Sequence, residues 1–85
     1  MKEIKYVVKD ELGIHARPAG LLVKAVAKSP CKITIAKGEK SADLKRLLAV
    51  MQLGVKQGEE ITITINGEGE EELAAELTAF LEANL

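Results

Sequence analysis

Glu60-Ile61-Thr62-Ile63-Thr64-Ile65-Asn66 alternates apolar and polar residues with the two-residue period of a strand buried on one face only. Asn66-Gly67 then signals a turn. The next stretch, Glu70–Asn84, changes period. Leu73, Leu77, Phe80 and Leu81 recur on one helical stripe, and Glu70, Glu71 and Glu72 fill the first turn, where negative charge suits the helix dipole. A half-buried strand followed by an amphipathic helix already points to a two-layer α+β domain.

Read outward from this pair, the remaining chain supplies matching elements. Glu3–Val8 reads as a strand, with Ile4, Tyr6 and Val8 set against Lys5 and Val7. Asp10–Ile14 reads as a loop. Ala16–Lys28 reads as a helix with Ala19, Leu22, Val23 and Val26 at helical spacing, ended by Ser29 and Pro30. Lys32–Lys37 reads as a strand with Ile33 and Ile35 on one side, and Gly38 turns it into a short strand at Lys40–Ala42. Leu44–Leu53 reads as a short helix that groups Leu44, Leu47, Leu48 and Met51 and ends at Gly54. The expected order is β-α-β-β-α-β-α, with helices on the apolar face of the sheet and the other face wet. No linker, internal repeat or low-complexity segment interrupts it.

The 85 residues suit one domain, 1–85, too small to enclose a deep substrate cavity. With 47% hydrophobic and 29% charged residues the chain has the composition of a globular protein. Aromatic residues, Tyr6 and Phe80, make up only 2%, which argues against a stacking platform for single-stranded nucleic acid. No Arg-rich cluster or recognition motif favours nucleic acid either. Net charge is -1, but residues 1–57 hold all 12 Lys and Arg against five Asp and Glu, a balance of +7. Residues 58–85 hold eight Glu and no base, a balance of -8. A basic surface of this kind attracts acidic protein partners. Cys31 is the only cysteine, which fits a reducing compartment, and it reads as a plain small residue. The N-terminus has no signal-peptide core, and no apolar run approaches membrane-spanning length. A cytoplasmic protein without membrane insertion is expected, and a monomer.

The sharpest local feature is Gly13-Ile14-His15-Ala16-Arg17-Pro18-Ala19, where the only histidine stands between a loop and a helix. Pro18 lies in the first turn, where its missing N–H costs little and its fixed φ suits the helix. His15 then falls near the N-cap, beside the unpaired amides of Ala16 and Arg17. Such amides and the positive end of the helix dipole favour a phosphate. Arg17 adds a planar fork of donors for phosphate oxygens. A neutral imidazole is a competent nucleophile. The dipole contributes only about 0.3–1 kcal/mol, so Arg17 is needed as well to stabilise a transferring phosphoryl group. From the residues alone, a solvated cap is the commoner use of a lone histidine at a helix start. No second His and no Cys–His spacing suggests a metal, no cofactor is expected, and no Ser or Cys context suggests a catalytic triad.

The same seven residues resemble the active-site motif of the HPr family, the phosphocarriers of the bacterial phosphoenolpyruvate-dependent sugar phosphotransferase system. The resemblance extends over nearly the whole chain, in length, element order, motif position and Leu53-Gly54 after the second helix. It implies an open-faced β-sandwich, a four-stranded antiparallel sheet with three helices on one side. It also implies that Enzyme I, charged by phosphoenolpyruvate, phosphorylates His15 on Nδ1, and that the group passes to an enzyme IIA domain of a sugar transporter. The chain is then a phosphoryl carrier, a shuttled covalent intermediate rather than an enzyme. His15 is the expected acceptor and Arg17 the phosphate clamp, with Ala16, Arg17 and Pro18 forming the phosphate-binding turn.

In the family the first two helices flank the histidine and dock partners. Gly20, Leu21 and Lys24 are the expected contacts on the first helix, and Arg46, Leu47, Leu48 and Met51 on the second. At helical spacing core is the better reading of Leu47, Leu48 and Met51, but the resemblance leads to the expectation that part of this set is exposed. Lys24, Lys28, Lys45 and Arg46 are candidates for charge attraction, or plain solvated charges. One departure stands out. Many relatives of Gram-positive type carry a regulatory serine where this chain has Arg46, which the kinase acting on that serine cannot phosphorylate. Two related readings share the histidine motif: a regulatory protein-binding domain of HPr type, and a carrier of the nitrogen-related phosphotransferase branch. A generic small α+β ligand-binding domain, with His15 as a cap, is the third alternative.

Overall fold

The computed structural model describes all residues, 1–85. The elements are β1 (Lys2–Val7), α1 (Ala16–Val26), β2 (Lys32–Lys37), β3 (Lys40–Asp43), α2 (Leu47–Gln52), β4 (Glu60–Asn66) and α3 (Glu70–Asn84). The four strands form one antiparallel sheet in the order β1-β4-β2-β3. The strand read first in the sequence is thus central, paired on both sides. Its isoleucines sit opposite apolar partners: Ile63 faces Ile4 and Ile35, Ile65 faces Ile33, and Ile61 faces Tyr6. Ile33, Ile35, Ile61, Ile63 and Ile65 are essentially fully buried, while Thr34, Thr62 and Thr64 lie on the other, wetter face. The period of two therefore sorts one face into the core.

All three helices use this apolar face. Leu22 and Val26 of α1, Val50 of α2, and Leu77 and Leu81 of α3 join the isoleucines in a single core cluster. α3 packs on β1 and β4, and α1 packs on both other helices. No helix is long and apolar enough to cross a membrane. Cys31 is buried, and its Sγ donates to the Glu68 carbonyl at 3.1 Å. The backbone at 67 passes so close that a Cβ there would stand 2.9 Å from the Cys31 Cα.

The second helix differs from its sequence-based reading. It starts at Leu47, not Leu44. The Leu44 amide donates to the Ile33 carbonyl at 2.9 Å, which prolongs the β2–β3 ladder. Asp43 then makes a turn, its Oδ1 accepting the Lys45 amide at 2.9 Å and its carbonyl accepting the Arg46 amide at 3.0 Å. Leu44 is in the core but is held there by the sheet. Leu47, Leu48 and Met51 do not share its side, because the buried residue of α2 is Val50. The first helix stops at Val26, two residues short of Lys28. Ser29 donates its amide to the Val26 carbonyl, and its Oγ accepts the Cys31 amide at 3.1 Å, so the chain is already turning before Pro30.

Two loops lock together behind α1. Asp10 Oδ1 accepts the Leu12 amide at 2.8 Å, and the Asp10 carbonyl accepts the Gly13 amide at 2.9 Å. The Ile14 amide donates to the Val55 carbonyl at 3.0 Å. Gly13 has φ +67°, and a Cβ there would overlap that same Val55 carbonyl oxygen and stand 2.8 Å from the Lys56 Cα. Both facts demand glycine. The partner loop has its own clamp. Glu59 Oε1 accepts the Lys56 amide at 2.7 Å and lies 3.4 Å from Lys37 Nζ, which also donates to the Gly54 carbonyl at 3.1 Å. The Lys56 amide first, with the Lys37 charge added, outweighs desolvation and holds the Glu59 carboxyl below its ordinary value of 4.5.

Three outcomes are expected. Gly13→Ala should destabilise the protein by about 2–4 kcal/mol in urea unfolding, since the added methyl meets backbone and the φ is strained. Arg46 caps α2 with extended φ and ψ, no side-chain bond and no acid in the first turn. Arg46→Asp should therefore gain about 1 kcal/mol by the same measurement. Because the folded value of Glu59 is depressed, its contribution is present above pH 4.5 and lost as pH falls from there through the folded value. Unfolding titrations of Glu59→Gln should show lower stability at neutral pH and a shallower loss in that acid window.

Candidate functional site

His15 is the N-cap of α1, with φ -103° and ψ -176°. Its carbonyl accepts the first intrahelical bond, from the Ala19 amide at 2.9 Å. The amides of Ala16 and Arg17 precede that bond, and Pro18 has none to place. The first turn thus presents two free donors where the helix dipole is positive. Pro18 and Ala19 are buried and anchor this turn, whereas Ala16 and Arg17 are exposed and His15 is half-buried. The His15 side chain makes no capping hydrogen bond. Capping therefore does not account for a histidine here.

The ion pairs of the chain join Met1 to Glu70, Lys2 to Glu71, and Lys37 to Glu59. The Arg17 guanidinium takes no part in them and is free to meet an anion. His15, Arg17, Pro18 and Leu21 line one open depression of about 270 Å³. Asp10 and Asn84, from the loop before the helix and from the end of α3, complete its lining. Neither stood out in the sequence. No local pattern links residue 84 to residue 15; the link is made by the Lys9 and Asp10 amides, which donate to the Leu85 carbonyl at 2.6 and 2.9 Å. A second depression, between Met1, Lys2 and Gly69–Glu72, is walled by three glutamates and does not suit an anion.

The residues expected to meet partners are on the surface. On α1, Gly20 is half-buried and Leu21 and Lys24 are exposed. On α2, Arg46, Leu47, Leu48 and Met51 are exposed, Leu48 to 72%. A leucine that open on a six-residue helix has no packing role. Lys45 is different from its expectation as a free charge, since its ammonium donates to the Ser29 carbonyl at 2.5 Å and ties α2 to the end of α1.

The family model for the PTS HPr component phosphorylation site matches residues 2–83. The phosphocarrier protein HPr of Lysinibacillus sphaericus is 41% identical over 81 residues, covering 95% of this chain and 92% of that protein. Among solved structures, HPr from Thermoanaerobacter tengcongensis superposes with a TM-score of 0.92 at 35% identity, covering 98% of this chain and 93% of that one. A dimeric form of HPr from that organism has a TM-score of 0.76 at the same identity, covering 98% and 95%. In length, sheet, helices and the turn that carries its single histidine, this chain belongs to the HPr family of phosphocarrier proteins of the phosphotransferase system.

Proposed function

We propose that this chain accepts a phosphoryl group on His15 from Enzyme I and passes it to enzyme IIA domains of sugar transporters. The observation that carries this reading is the uncommitted His15 side chain at the start of α1, beside two free amides and an unpaired guanidinium. In the forward step a ring nitrogen of neutral His15, Nδ1 by family likeness, attacks the phosphorus carried by Enzyme I. A phosphorus–nitrogen bond forms as the bond to the donor breaks, and the electron pair of that bond leaves with the donor. The Ala16 and Arg17 amides and the Arg17 fork receive charge spread over the phosphoryl oxygens.

Docking falls on the exposed surface of α1 and α2: Gly20, Leu21 and Lys24 on one, Arg46, Leu47, Leu48 and Met51 on the other. Exposed leucines supply the apolar centre of such a surface, and the lysine and arginine steer an acidic partner toward it. A carrier that meets two partners in turn needs this face open, so the acting species is proposed to be a monomer in the cytoplasm. With Arg46 in place of the regulatory serine, kinase control at this position is absent from the proposal.

Incubation with Enzyme I and phosphoenolpyruvate should add one phosphoryl group by intact mass, stable in alkali and lost in acid. His15→Ala should abolish the addition while changing the unfolding free energy by no more than about 1 kcal/mol, as for a half-buried side chain without hydrogen-bond partners. Arg17→Ala should slow it about 10²–10³-fold, the usual cost of removing one charge-stabilising donor. Labelling that survives His15→Ala would sink the assignment.

A further inference from the structure

The depression around His15 contains one group that the proposed transfer does not use. Asp10 lines it together with Arg17. Its backbone is pinned by its amide, which donates a hydrogen bond to the Leu85 carbonyl at 2.9 Å, and its side chain by Oδ1, which accepts the Leu12 amide at 2.8 Å. The carboxylate is therefore held in place. No cation neutralises it, because the ion pairs of the chain lie elsewhere. Arg17 is the only cation lining the depression.

From this juxtaposition, and resting on the phosphocarrier reading, we infer that Asp10 is a positioning residue that keeps the phosphoryl group on His15 easy to give away. When the site is empty, the fixed carboxylate attracts the Arg17 guanidinium across the depression. When His15 is phosphorylated, the dianionic group competes for that guanidinium and is itself repelled by Asp10. Both effects favour the unphosphorylated form. No bond is made or broken by Asp10. It raises the free energy of the phosphorylated carrier relative to donor and acceptor, where an anion site with unopposed positive charge would trap the group. A carrier must both load and unload, so a fixed negative charge on the rim serves the second half of the cycle.

The test is the phosphoryl-transfer equilibrium of the full chain with Enzyme I, phosphoenolpyruvate and pyruvate at set ratios, read as the phosphorylated fraction by intact mass. Asp10→Asn keeps an acceptor oxygen for the Leu12 amide and removes the charge. It should raise the equilibrium constant for loading about three- to tenfold at low ionic strength, the size expected for one nearby surface charge acting on a dianion. That gain should shrink as KCl is raised from about 0.02 to 0.5 M. Asp10→Ser, which also keeps an oxygen in the turn, should shift it the same way and serves if the asparagine variant folds poorly. Glu11→Gln removes an equal charge from an exposed residue outside the depression and should leave the constant unchanged. A wild-type loading constant matched by both Asp10 variants, or a shift reproduced by Glu11→Gln, would overturn the inference alone. Failure of the wild-type chain to load would overturn the phosphocarrier reading beneath it.

Discussion

The contact between Gly13–Ile14 and Val55 is the constraint on which the site depends. Two loops far apart in sequence meet there through one backbone hydrogen bond of 3.0 Å and a gap that admits no side chain. If the loops stood even one methyl further apart, the chain would enter α1 along a different line. His15 would then leave its place at the N-cap, and the two free amides would point elsewhere. The partner loop is stiffened in turn by Glu59 and Lys37, so the clamp reaches from the end of the inner strand β2 toward the histidine. None of these groups touches a phosphoryl group in the proposed reaction. Their work is done in holding a rigid turn.

The core is indifferent to this chemistry. Nineteen buried apolar residues form one cluster, and no charged or polar side chain is buried with them. The functional groups are left outside, on a first turn whose inward residues, Pro18 and Ala19, are the ones that pack. That division suits a small domain, which has no apolar area to spare for a cavity. It also leaves the imidazole open, as the proposed transfer between successive proteins requires. The uneven charge of the chain is partly settled in space by the same fold. Glu70 and Glu71 at the start of α3 pair with Met1 and Lys2 of the β1 end, whereas Lys24 and Arg46 on α1 and α2 stay unpaired.

The exposed leucines of α2 show how a surface can mislead a periodic reading. Leu44, Leu47, Leu48 and Met51 are spaced as a buried helical stripe is spaced, yet only Leu44 is buried, and it lies before the helix. Asp43 starts a turn that resets the helical phase, after which Val50 faces inward. Hydrophobic spacing reports which residues avoid water when they share one helix. It cannot report where that helix begins.

Much of this protein was determined by sequence alone. Alternation in Glu60–Asn66, the stripe in Glu70–Asn84 and the Gly13–Ala19 motif were enough for the element order, the two layers and the location of the only histidine beside Arg17. Each is a local property, set by side-chain period, by proline's fixed φ and by the unpaired amides of a first turn. The tertiary structure decided the rest, because those features need residues distant in the chain. It brought Asp10 and Asn84 into the depression, freed Arg17 by sending the ion pairs elsewhere, committed Lys45 to the Ser29 carbonyl and turned three apolar residues of α2 outward. Long-range hydrogen bonds and packing against the sheet make those choices, and neither has a period that a linear sequence displays.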